Sequence, residues 1–510
     1  MQTALNISLI LLLLLFVLGL FGARGGVLES LHGLRGRGIR IVIPLFFLLI
    51  AGGLFARVFT TMDEETEQLI VRGAEPGDTV SRGFDTKGRF LGMTRPLGRI
   101  FDRNGMSLAT YGLVDRHLAR IYPAGPVAAH VVGYWTGPLR DGVGVEKGLV
   151  YLNDSIRDDR PHDVTLSIDL RLQEDAMRAL DGRSGAIVVL DPSTGEVLAA
   201  ASNPTYDPAG VWDTETWRRY ATDNDRKPLL GRAIKDLYSP GSSIKPLVAA
   251  AALHLDVPLP EEKGFVCTGE YDPGKGIPPI TDHGSVHGRI DLEEAMKVSC
   301  NVYFSYLAYE LIGYDRMKRF LESLGANYRL SWNGSIPLNR SGSLRIAPSR
   351  VEAKDEIARS RIGIGQASVK LNPLHAAVLY GGIAQGGIFL APTLETGRIP
   401  DTLGARLRAA TTDELAQLLR GPIEPGGTAG GVFSGFDRRG IKVYGKTGTA
   451  DREPDGRSPS WFSSFAEKNG RRYVVIVALE NRAGAYAGAL NAPMARTLYE
   501  SLSNYGYFDP

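Results

Sequence analysis

The fold is indicated most strongly by residues 240–253, which read PGSSIKPLVAAAAL. The Pro-Gly pair interrupts regular structure, and the apolar run after Pro246 is typical of a buried helix. Because proline lacks an N–H, Pro246 is tolerated only in the first turn, so the helix is predicted to begin near Ser242. Lys245 then lies one turn from Ser242 on the same helix face, and its amine is expected to reach the Ser242 hydroxyl.

Two further short motifs follow along the chain, Ser-Cys-Asn at 299–301 and Lys-Thr-Gly-Thr at 446–449. The gaps between the motifs leave room for a helical subdomain and then a return to a sheet. Taken singly, the three have ordinary structural explanations: a capped helix with a solvated lysine, a polar turn after a helix, and a strand with a close contact at its glycine. Their occurrence together in one order favours a catalytic explanation.

The residue types suit acyl transfer. That reaction needs a nucleophile, a base that accepts its proton, and donors placed where negative charge develops on the carbonyl oxygen. Ser242 at a helix start is suited to be the nucleophile, because the positive helix end favours a forming oxyanion. Lys245 is suited to be the base, provided that burial or a neighbouring cation lowers its pKa, and Lys446 is the predicted neighbour.

The three motifs in this order resemble the active site of the penicillin-binding transpeptidases, serine acyl-transfer enzymes that cross-link bacterial peptidoglycan. Upstream segments are similar to the non-catalytic domain of class B penicillin-binding proteins, at residues 99–109, 122–125, 130–134 and 144–149. Residues 165–173 resemble the segment that leads into the transpeptidase domain, and residues 185–200 resemble the hairpin that follows it.

The resemblance implies a fold. It covers about residues 98 to 490 and implies an α/β (α+β) penicillin-binding transpeptidase domain like that of the serine β-lactamases. N-terminal membrane helices and a small mixed class B N-terminal domain, of the pedestal or dimerisation type, would precede that domain.

The resemblance also implies roles for the first two motifs. Lys245 would accept the Ser242 proton as Ser242 attacks the penultimate D-Ala carbonyl of a stem peptide, and the terminal D-Ala would leave. Ser299 would relay the proton to the leaving amine, while Asn301 would orient Lys245 and bind the peptide amide. The amine of a neighbouring chain would then resolve the acyl-enzyme.

The third motif is implied to bind the donor peptide. The backbone N–H groups of Ser242 and Thr449 would form the oxyanion hole, and Gly448 would let the strand approach the substrate. Lys446, with the hydroxyls of Thr447 and Thr449, would hold the terminal carboxylate. β-Lactams would acylate Ser242 for the same geometric reasons.

Composition limits the other possibilities. The chain has 510 residues, 44% of them hydrophobic, which predicts a folded protein of more than one domain, while its net charge of +2 indicates little about partners. Cys267 and Cys300 are the only cysteines, which excludes a disulfide scaffold; two buried thiols are predicted, with one bridge as the alternative. His283 and His287 lie in a predicted loop, so neither a metal nor a cofactor is indicated.

Two apolar segments at the N-terminus, residues 5–22 and 39–57, are each predicted to be a transmembrane helix. Residues 24–40 carry four arginines and one acid, so the positive-inside rule places this stretch in the cytoplasm and the catalytic domain on the periplasmic side of the inner membrane. No Lys or Arg precedes Leu5, unlike in a cleavable signal peptide. A helical hairpin is therefore predicted, with a first segment absent from the mature protein as the alternative.

Three parts are predicted: a membrane anchor at 1–58, a class B N-terminal non-catalytic domain at 59–163 and the transpeptidase domain at 164–510. The middle part is too short for the glycosyltransferase module of bifunctional class A relatives, which predicts a monofunctional enzyme. Strands of the last part are predicted at Ala186–Leu190, Val197–Ala201, Ile441–Tyr444, Trp461–Ala466 and Tyr473–Leu479.

The implied partners are the stem peptides of lipid II-derived glycan strands, β-lactams as inhibitors and a SEDS-type membrane glycosyltransferase. The sequence has no basic block of the kind that would indicate binding to nucleic acid. A D,D-carboxypeptidase or penicillin sensor would use the same motifs, although the small N-terminal domain argues against both. A scaffold with a decayed catalytic domain is a further alternative, although every catalytic side chain is present. A role in cell shape, cell division or sporulation stays open.

Overall fold

The computed structural model describes residues 98–114, 117–135, 142–146, 163–274, 276–328, 346–453, 456–481 and 487–510. In chain order its strands are β1 Ile100–Phe101, β2 Ser107–Val114, β3 His117–Ile121, β4 Tyr134–Trp135, β5 Gly142–Val143, β6 Val164–Thr165, β7 Gly185–Leu190, β8 Val197–Asn203, β9 Glu270–Tyr271, β10 Ile280–Thr281, β11 Arg350–Val351, β12 Val369–Lys370, β13 Ile388–Leu390, β14 Thr402–Arg406, β15 Lys442–Thr449, β16 Ser458–Lys468 and β17 Arg471–Asn481.

The α-helices are α1 Ala129–Val132, α2 Leu170–Leu180, α3 Thr214–Thr222, α4 Arg232–Lys235, α5 Lys245–His254, α6 Leu292–Val298, α7 Asn301–Tyr306, α8 Tyr314–Ser323, α9 Glu356–Ser360, α10 Pro373–Ala384, α11 Ala409–Leu418 and α12 Ala487–Asn504. A π-helical segment, Leu307–Ile312, continues α7. Short 3-10 helices lie at Gly125–Val127, Gly210–Trp212, Gly241–Ile244, Pro260–Lys263, Ile362–Ile364, Gly421–Ile423 and Asp437–Arg439.

The centre of the fold is a five-stranded sheet in the order β15-β16-β17-β7-β8, with every neighbouring pair antiparallel. All five strands predicted from apolar runs are confirmed here. Most of them extend beyond the predicted bounds, because an apolar run marks only the buried middle of a strand. The third motif lies in β15, the edge strand of this sheet.

Both faces of the sheet are buried. Successive strand side chains point to opposite faces, so Ile187 and Val189 of β7 pack with α2 and α12, while Val188 packs into a second core on the other side. Helix α10, of which every residue is buried, lies against that second face. The sheet is therefore sandwiched between helical layers.

Between β8 and β15 the chain leaves the sheet and forms a largely helical region that contains α3 to α11. The first two motifs lie in this region, whereas the third lies in the sheet. The prediction of a helical subdomain followed by a return to the sheet is confirmed.

A smaller four-stranded sheet, in the order β3-β2-β1-β6, lies upstream. The predicted domain boundary at residue 163 falls beside β6, which runs parallel to β1 and pairs with it. The predicted membrane helices, 5–22 and 39–57, lie outside the described residues, as does much of the predicted domain at 59–163. Within the described ranges, no helix combines the length and the apolar character that a membrane span requires.

Candidate active site

The predicted nucleophile lies in a tight turn ahead of a buried helix. A 3-10 helix, Gly241–Ile244, carries half-buried Ser242, and α5 begins at Lys245 with Pro246 in its first turn. The predicted helix start is confirmed, because proline is accommodated where no ladder hydrogen bond is lost. The buried Tyr380 hydroxyl donates to the Ser243 carbonyl at 3.1 Å, which fixes this turn against α10.

Strand β15 passes so close to this turn that glycine is required on both sides. A Cβ added to Gly448 would lie 2.4 Å from the Pro240 carbonyl oxygen and 2.8 Å from the Ser243 nitrogen. Gly241 has a φ of +53°, and a Cβ there would lie 2.3 Å from the Thr449 carbonyl oxygen. The two backbones therefore touch, and Thr449 is placed beside the turn that carries Ser242.

The second motif forms the turn between α6 and α7. Ser299 ends α6 in the left-handed region, at φ 61° and ψ 43°, and Cys300 caps α7 by accepting from the Tyr303 N–H through Sγ. The expectation of a polar turn after a helix is confirmed. Left-handed backbone is uncommon for a residue with a side chain and is often found at functional sites.

The buried Lys245 amine is held by the second motif. Its Nζ lies 2.6 Å from the Ser299 carbonyl oxygen, 3.2 Å from Ser299 Oγ and 2.8 Å from Asn301 Oδ1. These three acceptors match the three N–H donors of an ammonium group. The predicted contact with the Ser242 hydroxyl is therefore not formed as a hydrogen bond, because the charged amine uses all its donors on Ser299 and Asn301.

A second buried lysine shares the same hydroxyl. Lys446 Nζ donates to Ser299 Oγ at 2.9 Å and to the Thr447 carbonyl oxygen at 3.1 Å. Ser299 Oγ thus bridges two amines that come from an α-helix and from the edge strand. The predicted proximity of Lys245 and Lys446 is confirmed through this bridge.

Burial weakens the basicity of both amines. It lowers the pKa of Lys245 to about 8, while nearby Cys300 and Asp282 oppose this shift. Burial, and then the charge of Lys245, hold the pKa of Lys446 well below its ordinary value. Burial is thus the main cause of the low pKa of Lys245, one of the two causes that the sequence analysis allowed, and the repulsion from a second lysine is seen at Lys446. Because two ammonium groups at this distance would repel each other, one positive charge on the pair is favoured over two.

The third motif reaches the surface only at its end. Thr447 is buried and its hydroxyl donates to Thr428 Oγ1 at 2.6 Å, whereas Thr449 is exposed. Thr428 was missed by sequence reasoning. Its surroundings, PGGTAGG at 425–431, were a usable signal, because a glycine-rich run often marks close backbone approach.

A further residue missed by sequence reasoning orients the second motif. Buried Asp282 accepts the Asn301 N–H in a short hydrogen bond and also accepts from the Val302 N–H at 3.4 Å. The Asn301 side-chain amide in turn donates to the Thr281 carbonyl oxygen at 3.1 Å. The segment after β10 therefore holds Asn301 towards Lys245.

Behind this turn lies a group of side chains of the types that hold metals. Cys267 and Cys300 are free and buried, as predicted, and Asp282 and His287 lie beside them. The donor atoms of all four residues lie within 4.8 Å of one another. Sequence spacing indicated no metal site, because three of these residues are separated by loops whose path the sequence does not reveal.

Comparison with known proteins identifies the family. Residues 185–500 match the family model described as the penicillin-binding protein transpeptidase domain. The chain belongs to the penicillin-binding transpeptidases. The predicted resemblance to class B penicillin-binding proteins is confirmed, as is the mixed α/β transpeptidase fold.

Two curated relatives of this penicillin-binding transpeptidase are similar over most of their length. Peptidoglycan D,D-transpeptidase PbpA of Mycobacterium tuberculosis (strain H37Rv) is 31% identical over 432 residues, which cover 75% of this chain and 84% of that protein. The probable peptidoglycan D,D-transpeptidase PenA of Neisseria gonorrhoeae is 29% identical over 461 residues, which cover 82% of this chain and 74% of that protein.

Solved structures of penicillin-binding proteins also match the fold of this chain. The crystal structure of the M. tuberculosis protein matches with a TM-score of 0.68 at 25% identity, over 80% of this chain and 99% of that chain. The penicillin G acyl-enzyme complex of penicillin-binding protein A from M. tuberculosis matches with a TM-score of 0.67 at 27% identity, over 80% and 100% of the respective chains.

Proposed function

We propose that this penicillin-binding transpeptidase is a serine peptidoglycan D,D-transpeptidase that cross-links stem peptides through an acyl-enzyme on Ser242. The observation that carries the proposal is the Ser299 hydroxyl bridging two buried lysines, which makes a proton path beside the nucleophile turn. Relatives named as peptidoglycan D,D-transpeptidases and a penicillin G acyl-enzyme structure support the same reaction. β-Lactams would then inhibit the protein by acylating Ser242.

In the proposed mechanism, the neutral Lys245 amine accepts the proton of Ser242 as the hydroxyl attacks the carbonyl of the penultimate D-Ala. The low pKa of Lys245, about 8, makes the neutral amine available near physiological pH. Ser299 relays the proton to the leaving D-Ala amine, and Asn301 keeps the Lys245 amine oriented. An amine of a second stem peptide then takes the acyl group from Ser242.

The donor peptide is proposed to lie along β15. The backbone N–H groups of Ser242 and Thr449 form the oxyanion hole, since the two segments touch at Gly448. Thr447 and Thr449 hold the terminal carboxylate of the donor, and Lys446 attracts it when the positive charge of the lysine pair lies on Lys446. Lys446 is buried against Ser299, which also places its amine in the proton path.

The predicted organisation is proposed with the function: an anchor of two transmembrane helices, 5–22 and 39–57, the non-catalytic domain at 59–163 and the transpeptidase domain at 164–510. The arginine-rich stretch 24–40 supports a catalytic domain on the periplasmic side. A SEDS-type membrane glycosyltransferase is the proposed partner at the anchor and the small domain, by analogy with class B enzymes.

Labelling with a fluorescent penicillin tests the proposal. The full chain in detergent should take up covalent label, Ser242→Ala should take up none, and Ser243→Ala should stay labelled. Ser243 is the matched control, because its hydroxyl lies in the same turn without a hydrogen-bond partner. Incubation with lipid II-derived strands should then give cross-linked dimers. Hydrolysed tetrapeptides alone would favour a carboxypeptidase, and an unlabelled parent chain would favour a scaffold.

A further inference from the structure

The loop that joins β15 to β16, residues 450–457, contacts the segment that leads into the Ser242 turn. Glu453 Oε1 accepts the Ser239 N–H at 3.1 Å and lies 2.5 Å from Lys370 Nζ. Ser239 is buried and lies three residues before Ser242. One carboxylate oxygen of the loop therefore holds both the main chain ahead of the turn and a lysine of β12.

The main chain explains why Ser239 and Lys370 lie side by side. Tyr238 and Leu371 exchange two backbone hydrogen bonds, of 2.9 and 2.8 Å, as an antiparallel bridge. In antiparallel pairing, the next residue of one segment lies opposite the preceding residue of the other, so Ser239 faces Lys370. An acceptor placed at this point reaches both donors, as Glu453 does.

The backbone of Ser239 is held from both sides by the hairpin of β15 and β16. Its N–H donates to Glu453, and its carbonyl oxygen accepts from buried Trp461 Nε1 at 2.9 Å. Within the part of the chain that the structure describes, Glu453 is the only acceptor of the Ser239 N–H. Because a buried N–H without a partner is costly, loss of the Glu453 carboxylate would leave this group unsatisfied and free the main chain to shift.

A second contact of the same loop lies further upstream. Arg457 Nη1 lies 2.8 Å from Asp236 Oδ2, and the Arg457 carbonyl oxygen accepts the Glu453 N–H at 2.7 Å. The two anchoring residues of the loop are thus bonded to each other through the main chain. The loop holds the segment before the Ser242 turn at two points, Asp236 and Ser239.

Burial distinguishes the Glu453 contact from an ordinary surface ion pair. The Glu453 side chain is 9% exposed, and that of Lys370 is 30% exposed. Exposed ion pairs contribute little because water and salt screen them, whereas a main-chain N–H that donates to a shielded carboxylate makes a strong, directional bond. The bond from the Ser239 N–H, rather than the ion pair with Lys370, is therefore the contact on which the position of the main chain depends.

We propose that Glu453 is a positioning residue for Ser242. By holding Ser239 against the loop, it fixes the distance between the turn that carries the nucleophile and Thr449, which directly precedes the loop. Glu453 acts through the main chain of residues 239–242 and not on the reacting atoms. The inference rests on the proposed function, since it concerns the reactivity of Ser242.

Acylation of the full chain in detergent by a fluorescent penicillin tests this role. Glu453→Ala should lower the rate of acylation at saturating penicillin by about tenfold or more, since small displacements of a catalytic group are costly, and should leave the half-saturating concentration unchanged. Glu453→Gln should retain most of the rate, because its amide oxygen still accepts the Ser239 N–H although the ion pair with Lys370 is lost. Glu467→Ala is the matched control, because it removes an ion pair, with Arg472, at the far end of β16.

Three results would overturn the inference: an unchanged rate in Glu453→Ala, an equal loss of rate in the alanine and glutamine variants, or a loss confined to the half-saturating concentration. If the alanine variant does not fold, Glu453→Asp takes its place, since it keeps the charge, is one methylene shorter and should be slowed in the same way. A wild-type chain that is never acylated would instead refute the proposed function, so the two failures are distinguishable.

Discussion

Ser299 has an unfavourable backbone conformation, and its hydroxyl is shared by two lysines. Its left-handed φ of 61° aims both its carbonyl oxygen and its Oγ at Lys245, and the same Oγ accepts from Lys446. A left-handed backbone conformation costs on the order of 1–3 kcal/mol for a residue with a side chain. It persists where contacts with the surrounding structure hold the residue in place. Asp282 and the caps of α6 and α7 supply that constraint.

Loss of the Ser299 hydroxyl should slow acylation without unfolding the protein. Ser299→Ala leaves Lys446 donating to the Thr447 carbonyl oxygen and removes the proposed relay, so the rate constant for acylation by penicillin should fall about 10²-fold or more. Ser299→Gly relieves the backbone and is the control. If glycine restored the rate, the backbone rather than the hydroxyl would be the important feature.

The pH dependence of acylation should report Lys245. The neutral amine is the proposed base, and burial lowers its pKa to about 8, so the rate should fall about tenfold per unit below pH 8 and level off above it. The groups that face this amine are Lys446, Asp282 and Cys300. Lys245→Arg stays protonated and should be inactive at every pH. A rate that is flat from pH 6 to 10 would contradict Lys245 as the base.

At the scale of elements, the contact between β15 and the nucleophile turn controls the site. The strand carries Lys446 and Thr449, and the turn carries Ser242, so the separation of strand and turn sets the distance between the proposed nucleophile and the Thr449 N–H of the proposed oxyanion hole. Gly241 and Gly448 let the two backbones touch. β15 is an edge strand, and beyond Gly445, whose N–H donates to the Leu419 carbonyl oxygen, its outer side suits addition of an extended substrate as a further strand.

Gly448→Ala should separate these elements. The new methyl group would lie 2.4 Å from the Pro240 carbonyl oxygen, so strand or turn must move, and a displacement of about 1 Å at a catalytic site costs roughly 10²-fold in rate. Gly404→Ala is the matched control, a strand glycine whose added methyl would meet only the Ser323 carbonyl oxygen at 3.6 Å. Penicillin labelling of both variants gives the rates. Wild-type labelling of Gly448→Ala would show that the contact tolerates movement.

At the scale of the molecule, the helical region and the sheet are joined by a buried charged cluster. Glu480 of β17 accepts from Arg232 at 2.7 Å, from Tyr238 at 2.8 Å and from Arg457 at 3.4 Å. Arg232 and Tyr238 belong to the segment that leads into the Ser242 turn. The cluster thus fixes the path by which the chain leaves the sheet and enters the active site.

Glu480→Ala should therefore destabilise the whole fold. It leaves the nearly inaccessible Arg232 guanidinium without its carboxylate partner, and breaking a buried pair in this way costs about 3–5 kcal/mol. The melting temperature should fall by several degrees. Glu215→Ala is the control, because the Glu215–Arg218 pair is exposed and is worth at most about 1 kcal/mol. Equal melting temperatures for the two variants would show that the buried cluster contributes little.

Features that depend on neighbouring residues could be predicted from the sequence. The start of α5 followed from Pro246, and the five strands of the central sheet followed from apolar runs, because helix caps and buried strands depend on neighbours in the chain. The three motifs and their order indicated the family and the residues to test. Each of these features is encoded within a few residues or in the order of segments.

Contacts between distant segments needed the tertiary structure. Lys245 turns to Ser299 and Asn301 rather than to Ser242, Thr428 meets Thr447, and Asp282 braces the second motif. The proximity of Cys267 and His287 to Cys300 also became visible only once the path of their loop was known. Spacing along a chain does not reveal which loops will touch, because the path of a loop is set by the packing of the elements it joins.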